Sequence, residues 1–282
     1  MPVTIVDAIA NLVKHPILKV SSEYRARNRV NAVGDAFEEY VKDLFAGTID
    51  CNDLDRMDRY EQVFSYLGNS SNPPDAMLWR GDAIEVKKIE SRNADLALNS
   101  SYPKHTLKSD STMISAACRN AEDWREKDML YIVGYVHNGI LKDLAMVYGL
   151  DYCASESCYN RLKSVIADGV NSVPGVEFAP TKELARVNRV DPLGITYLRV
   201  RGMWGIENPW TAFNYVYRRD ERQKFNMMVL IGEKKWNAID NTEELARLAE
   251  VVHKLKITDV RIKDPDNPAR LNNAKLITFT IS

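Results

Sequence analysis

Cysteine and histidine are scarce in this chain, at four positions each among 282 residues. Cys51, Cys118, Cys153 and Cys158 show no C-x-x-C spacing, and only the last two lie near one another. That pattern argues against a zinc centre and a disulfide framework, and for reduced, mostly buried thiols. An excess of charge of either sign is also missing. The formal net charge is −1, so any electropositive surface must be local. The longest apolar run, near residues 129–136, is far short of the ~20 residues that span a bilayer. The amino-terminal Met-Pro-Val-Thr-Ile-Val-Asp lacks the basic start and apolar core of a signal peptide. Repeats and low-complexity tracts are absent. These absences lead to the expectation of a cytoplasmic protein with no membrane partner.

What is present is core material. Hydrophobic residues make up 45% and charged ones 27%, the balance of an ordinary folded chain. At this length the expectation is one large domain or a core with a second lobe. Residues 3–18 carry apolar positions at helical spacing and end near His15-Pro16. Tyr24-Arg25-Ala26-Arg27-Asn28-Arg29 follows, either a solvated connection or a phosphate-contacting arm that includes Arg27. Residues 31–46 place Val33, Phe37, Tyr40, Val41 and Leu44 near helical spacing, with Gly47 as a stop. Residues 48–60 are acidic and polar, 62–67 read as a strand, and a dense turn signal runs from Gly68 to Pro74.

Further on, residues 91–111 are expected as a loop and 112–126 as a helix. Residues 130–136 read as a buried strand that returns through 144–148 across the Asn138-Gly139 turn. Residues 155–168 and 243–255 read as helices, and 227–231 and 277–281 as strands. This order implies an α/β layer arrangement with a mixed sheet. Residues 182–220 hold seven basic side chains against four acidic ones, mixed with Tyr197, Trp204, Trp210, Phe213, Tyr215 and Tyr217. Such a mixture suits a nucleic-acid surface. It suits equally a β-rich core with snorkelling arginines.

The stretch with the plainest chemistry is Asn72-Pro73-Pro74-Asp75-Ala76-Met77-Leu78-Trp79-Arg80-Gly81-Asp82-Ala83-Ile84-Glu85-Val86-Lys87-Lys88. It predicts a β-hairpin that runs out through residues 76–79, turns at Arg80-Gly81-Asp82 and returns through 83–87. On the returning strand Ile84 and Val86 face one way, and Glu85 and Lys87 the other. Asp75 opens the outgoing strand, so pairing around the turn can gather Asp75, Glu85 and Lys87. Two carboxylates can hold a hard divalent cation through oxygen, and an ammonium can steady a hydroxide or a phosphate oxygen. The alternative is a turn residue beside an exposed cross-face pair. Helix, hairpin and spacing taken together favour the site.

Pro74-Asp75, nine residues, then Glu85-Val86-Lys87 resembles the active-site signature of the PD-(D/E)XK nuclease superfamily. Many members carry a glutamate on the first helix near the metals. Glu38, four residues after Gly34, is the better match, and Glu39 is the alternative. A closer resemblance runs from about residue 5 to the low 230s. Gly34-Asp35-Ala36-Phe37-Glu38-Glu39-Tyr40-Val41-Lys42-Asp43-Leu44-Phe45, the hairpin, and Tyr197-Leu198-Arg199-Val200-Arg201-Gly202-Met203-Trp204 look like the NgoPII family of type II restriction endonucleases.

That resemblance implies a PD-(D/E)XK core, with a central mixed sheet flanked by helices, in residues 1–170. A DNA-recognition and C-terminal part would occupy 171–282. It implies Mg²⁺-dependent hydrolysis of both strands of a short palindrome in double-stranded DNA, with which the family associates GGCC. Asp75, Glu85 and the Val86 carbonyl would hold Mg²⁺, with Glu38 nearby directly or through water, and Lys87 would orient the attacking water. Lys88, on the other face, is expected to be structural. A two-fold site implies a homodimer, and protection of the host implies a cognate DNA methyltransferase. Arginines suit guanine O6 and N7, so Arg186, Arg199, Arg201 and Asn208 are the candidate base readers. Arg27 and Lys104 are candidate phosphate contacts, although Lys104, His105 and Lys108 read more simply as solvated charge. The other classes weighed are a structure-specific nuclease and a non-catalytic DNA-binding module. The large C-terminal part disfavours the first, and the complete set of acid, acid and lysine disfavours the second.

Overall fold

The computed structural model describes residues 2–26, 33–69, 71–181 and 183–282, with the side chains of 33–35 outside that set. Arg27 and most of the expected arginine arm therefore lie outside the described residues. The first half runs α1 (Ile5–Lys14), α2 (Val20–Ala26), α3 (Val33–Ala46), α4 (Asp53–Val63), β1 (Phe64–Tyr66), β2 (Ala76–Leu78), β3 (Ala83–Ile89), β4 (Leu96–Asn99), β5 (Thr106–Lys108), α5 (Ala116–Arg119), β6 (Glu126–His137) and β7 (Ile140–Tyr148). The second runs α6 (Gly149–Tyr152), α7 (Glu156–Asn171), β8 (Glu177–Phe178), β9 (Ala185–Asn188), β10 (Leu198–Val200), β11 (Trp204–Ile206), α8 (Pro209–Ala212), β12 (Phe225–Gly232), α9 (Glu233–Trp236), α10 (Thr242–Val251), β13 (Lys256–Lys263) and β14 (Leu271–Ile281).

The near-continuous apolar runs of β6, β7 and β12 become the middle of one mixed sheet, as strands buried on both faces should. Its order is β1-β2-β3-β6-β7-β12-β14-β13, with β5 added along the start of β6. β3 is parallel to β6 and β7 is parallel to β12; the other neighbours are antiparallel. Period-two alternation splits the core. Leu130, Ile132, Met146 and Met227 pack on one face with Ile9, Phe37 and Leu44 of the amino-terminal helices. Met129, Tyr131, Val133 and Met228 pack on the other with Trp210 and Phe213. This is the expected α/β class, a central mixed sheet flanked by helices. Among the described residues, no helix is long and apolar enough to cross a membrane.

Several boundaries differ from the sequence reading. α1 starts after a Thr4 cap that accepts the Val6 N–H and stops at His15, because the residue before Pro16 disfavours helical backbone. Gln62 and Val63 finish α4 rather than opening a strand. The expected loop at 91–111 holds β4 and β5, which pair with the distant β11 and β6. The expected helix at 112–126 shrinks to α5, which buries Cys118, while Ile114 reaches the core from irregular backbone. The expected division near residue 170 is crossed by the sheet, since β12 pairs with β7 and β14 closes on β12. Cys118 and Cys153 are buried, Cys51 partly so, and Cys158 is exposed.

Candidate active site

β2 and β3 form the expected hairpin, with Ala76 opposite Ile84 and Met77 opposite Ala83. Its turn end is bolted down. Lys127 Nζ donates to the Leu78 and Gly81 carbonyls at 2.9 Å each and pairs with Glu122 at 2.7 Å. Asp82 is buried and accepts from Tyr148 Oη at 2.8 Å and Lys235 Nζ at 2.5 Å. The open end gathers the ionisable side chains. Asp75 N donates to the Ile84 carbonyl at 2.9 Å, and Val86 N donates to Asp75 Oδ2 at 2.7 Å. That places Asp75 across from Glu85, whose Oε1 accepts from Lys87 Nζ at 2.5 Å. Asp75, Glu85 and Lys87 line one cleft of about 230 Å³ with Asn72, Tyr102 and Lys104.

The charges here are strained against one another. Burial and the neighbouring Glu85 charge push the Asp75 carboxyl up to about 6, although the Lys87 charge opposes the shift. Burial disfavours a charged Lys87, yet Glu85 and Asp75 hold its ammonium above the ordinary value. Glu85 Oε2 is buried and, among the described residues, has no hydrogen-bond partner. A buried carboxylate oxygen without a donor, beside a second carboxylate it repels, is the donor set a hard divalent cation fits. The fit rests on these two acids: among the described residues no group of three or more His, Cys, Asp or Glu is gathered for a metal.

Of the two helix glutamates, Glu38 is the one in electrical contact with the cleft. Burial raises its pKa, Lys42 opposes, and Asp75 adds to the rise. Its carboxylate is 2.8 Å from Lys42 Nζ and stands outside the cleft wall. Glu39 is tied to Lys42 and Arg56. Lys88 pairs with Glu90 at 2.9 Å, away from the site, as alternation requires.

Two candidates from sequence sit differently from expectation. Asn208 is fully buried. Its side chain donates to the Ala94 carbonyl at 2.8 Å and caps α8 through the Thr211 N–H, so it is spent on structure and cannot reach a base edge. Lys104 is 8% exposed, which removes the solvated reading, and it lines the cleft. Lys108 does stay exposed, paired with Glu156 at 2.7 Å. Arg199 of β10 and Arg201, just beyond it, both reach Glu183, at 2.5 and 2.6 Å, beside the β8-β9-β10 sheet. The Arg186 guanidinium lies 5.0 Å from the Tyr197 ring centroid on the same sheet. A second cleft, about 430 Å³, includes Arg199, Arg201 and Trp204 and shares Ser71, Asn72, Ser100 and Met113 with the first. The two readings of 182–220 thus divide the segment. β9 and β10 expose charge, whereas Trp210 and Phe213 fill the core and Arg219 lies 3.8 Å from buried Asp143.

Sequence reasoning missed Gly68. Its φ is +80°, and a Cβ there would lie 2.4 Å from the Asp75 carbonyl oxygen. Glycine in the turn-rich stretch was the only signal, and it marks a close approach that sets Asp75.

The sequence model of a family described as NgoPII restriction endonuclease matches residues 3–263. The type II restriction enzyme NgoPII of Neisseria gonorrhoeae is 57% identical over 276 residues, which cover 98% of this chain and 99% of that protein. The similarity therefore extends well past the low 230s, into β13 and β14. No solved structure matches the chain.

Proposed function

The chain belongs to the NgoPII restriction endonuclease family, and from that premise we propose that Asp75, Glu85 and Lys87 form its DNA-cleaving centre. Type II restriction makes it a site-specific deoxyribonuclease that acts on DNA. The observation that carries the residue assignment is the convergence of Asp75, Glu85 and Lys87 at the open end of one hairpin.

Enzymes of this type use a divalent metal, and we take it to be Mg²⁺, held by Asp75, Glu85 and the Val86 carbonyl. Bound there, it would lower the pKa of a water and neutralise charge on phosphorus. Every other task falls to the chain. Asp75 is held by the Val86 N–H, which fixes one carboxylate oxygen and leaves the other to a ligand. Lys87 Nζ orients the attacking water and offsets charge that grows on the phosphate oxygens. Glu38, through Lys42, tunes the field at Asp75. Catalysis falls within residues 1–170. Recognition falls in 171–282, through Arg199, Arg201 and Arg186 reading the G·C pairs of GGCC. Arg27 is assigned to the DNA backbone from sequence alone. A homodimer would supply one centre per strand, and a methyltransferase of the same specificity would protect the host.

The test is digestion of unmethylated plasmid and phage DNA with Mg²⁺, with fragment ends mapped by sequencing. Discrete fragments ending within GGCC are expected. Ends elsewhere overturn the specificity, and no cleavage with any divalent metal overturns the assignment of the centre.

A further inference from the structure

Lysine is rarely buried without an anionic partner, because desolvating an ammonium is costly. Lys104 breaks that rule. It is 8% exposed, yet among the described residues no carboxylate lies within 4.0 Å of its Nζ. The ammonium stands 3.7 Å from the centroid of the Tyr102 ring, a contact that accepts a cation without neutralising it. Burial pushes its pKa down to about 8.

The surroundings hold this costly arrangement in place. Tyr131, level with Glu85 on the neighbouring strand, accepts the Lys104 N–H at 2.6 Å and donates back to its carbonyl at 3.2 Å. Gly149 lets the segment pass, since a Cβ there would lie 2.3 Å from the Lys104 carbonyl oxygen. Tyr102 is itself fixed, donating to Glu156 at 2.8 Å and stacking on Tyr159 at 5.4 Å. The described cleft wall therefore carries two carboxylates and two lysines, and of the two lysines Lys87 is the one ion-paired among the described residues.

We propose that Lys104 is a second phosphate-contacting cation of the cleavage centre, donating from Nζ to a non-bridging oxygen of the scissile phosphate. The proposal rests on the reading of this cleft as the cleavage centre. With a divalent cation on the two acids, the two lysines leave the cleft net positive, matched to a phosphate that gains negative charge as water attacks. Lys104 moves no proton and breaks no bond; it holds charge.

The test compares wild-type enzyme, Lys104→Met, Lys104→Arg and Lys87→Ala on a short cognate duplex. Lys104→Met, close in volume, should fold with an unchanged or higher melting temperature. Its single-turnover cleavage should fall about 100-fold, while Ca²⁺-supported binding weakens less than about 10-fold, and Lys104→Arg should recover part of the rate. A second duplex, with a neutral methylphosphonate at the scissile position, separates phosphate contact from packing. Its binding penalty should be smaller in Lys104→Met than in wild type. Near wild-type cleavage by Lys104→Met, or an equal methylphosphonate penalty in both proteins, overturns the proposal. Lys87→Ala would still be inactive in that case, so the parent reading would survive. Wild-type enzyme that fails to cut the duplex brings down the parent reading instead.

Discussion

The hairpin of β2 and β3 has acids and a lysine at both ends, and the two ends differ in how completely those charges are satisfied. At the turn, Lys235 bridges Asp82 and Asp128 at 2.5 and 2.6 Å, and Tyr148 donates to Asp82 as well. At the open end, among the described residues, Glu85 keeps a buried oxygen without a donor, Asp75 is pushed up to about 6, and Lys104 feels the Glu156 charge without an ion pair. On the proposed reading, similar side chains do opposite work: the satisfied cluster fastens the fold, and the unsatisfied one is there to take a cation and a phosphate.

The sharpest way to break this contrast is to remove the lysine from each end. Lys87→Ala should lower cleavage at least about 1000-fold while cognate binding in Ca²⁺ remains measurable. Lys235→Met should do the reverse. It leaves Asp82 buried with a lost ion pair and should cost about 3 kcal/mol of stability, read by urea unfolding. The folded fraction should still cut at near wild-type rate. If Lys235→Met is stable but inactive, the contrast is wrong.

A smaller effect is expected at Gly68→Ala. The new methyl would press on the Asp75 carbonyl and displace that carboxylate, with a loss of about 10- to 100-fold in cleavage and little change in binding. Normal activity would show that the close approach is not needed. Arg201→Ala should cost about 1–3 kcal/mol of discrimination at one base pair, seen as cleavage of near-cognate sites. Uniform weakening on all sequences would make Arg201 a phosphate contact instead.

The subtlest prediction concerns pH. Because the folded Asp75 carboxyl titrates near 6 rather than at its ordinary 3.8, the folded state holds a proton there that the unfolded chain has released. Its contribution to metal-free stability is full below about 4 and is lost as pH rises through about 6. Melting curves of wild type and Asp75→Asn should therefore diverge across this window, with wild type losing more. Parallel curves would remove the strain argument.

Much of this was legible locally. Arg80-Gly81-Asp82 fixed the hairpin, period two put Glu85 and Lys87 on one face, and Asn138-Gly139 joined β6 to β7. What failed was non-local. β4 and β5 are short strands that exist because β11 and β6 lie beside them, which no pattern within residues 91–111 reveals. β13 was missed because it is a mostly exposed edge strand rich in charge. Lys104 read as solvated because its burial comes from Tyr131 and Gly149, far away in sequence. Asn208 read as a polar reader because its capping of α8 depends on a four-residue helix that local propensity does not announce.

The central claim is that the open end of the hairpin carries charge strain because it awaits a metal and a phosphate. The most direct test is Asp75→Asn, assayed for cleavage with Mg²⁺ and for melting temperature without metal, both near pH 7.5. The account predicts loss of cleavage together with a melting temperature above wild type, by about 2–4 °C for each kcal/mol of relieved repulsion. Retained cleavage, or a melting temperature lowered as far as in Lys235→Met, would contradict it.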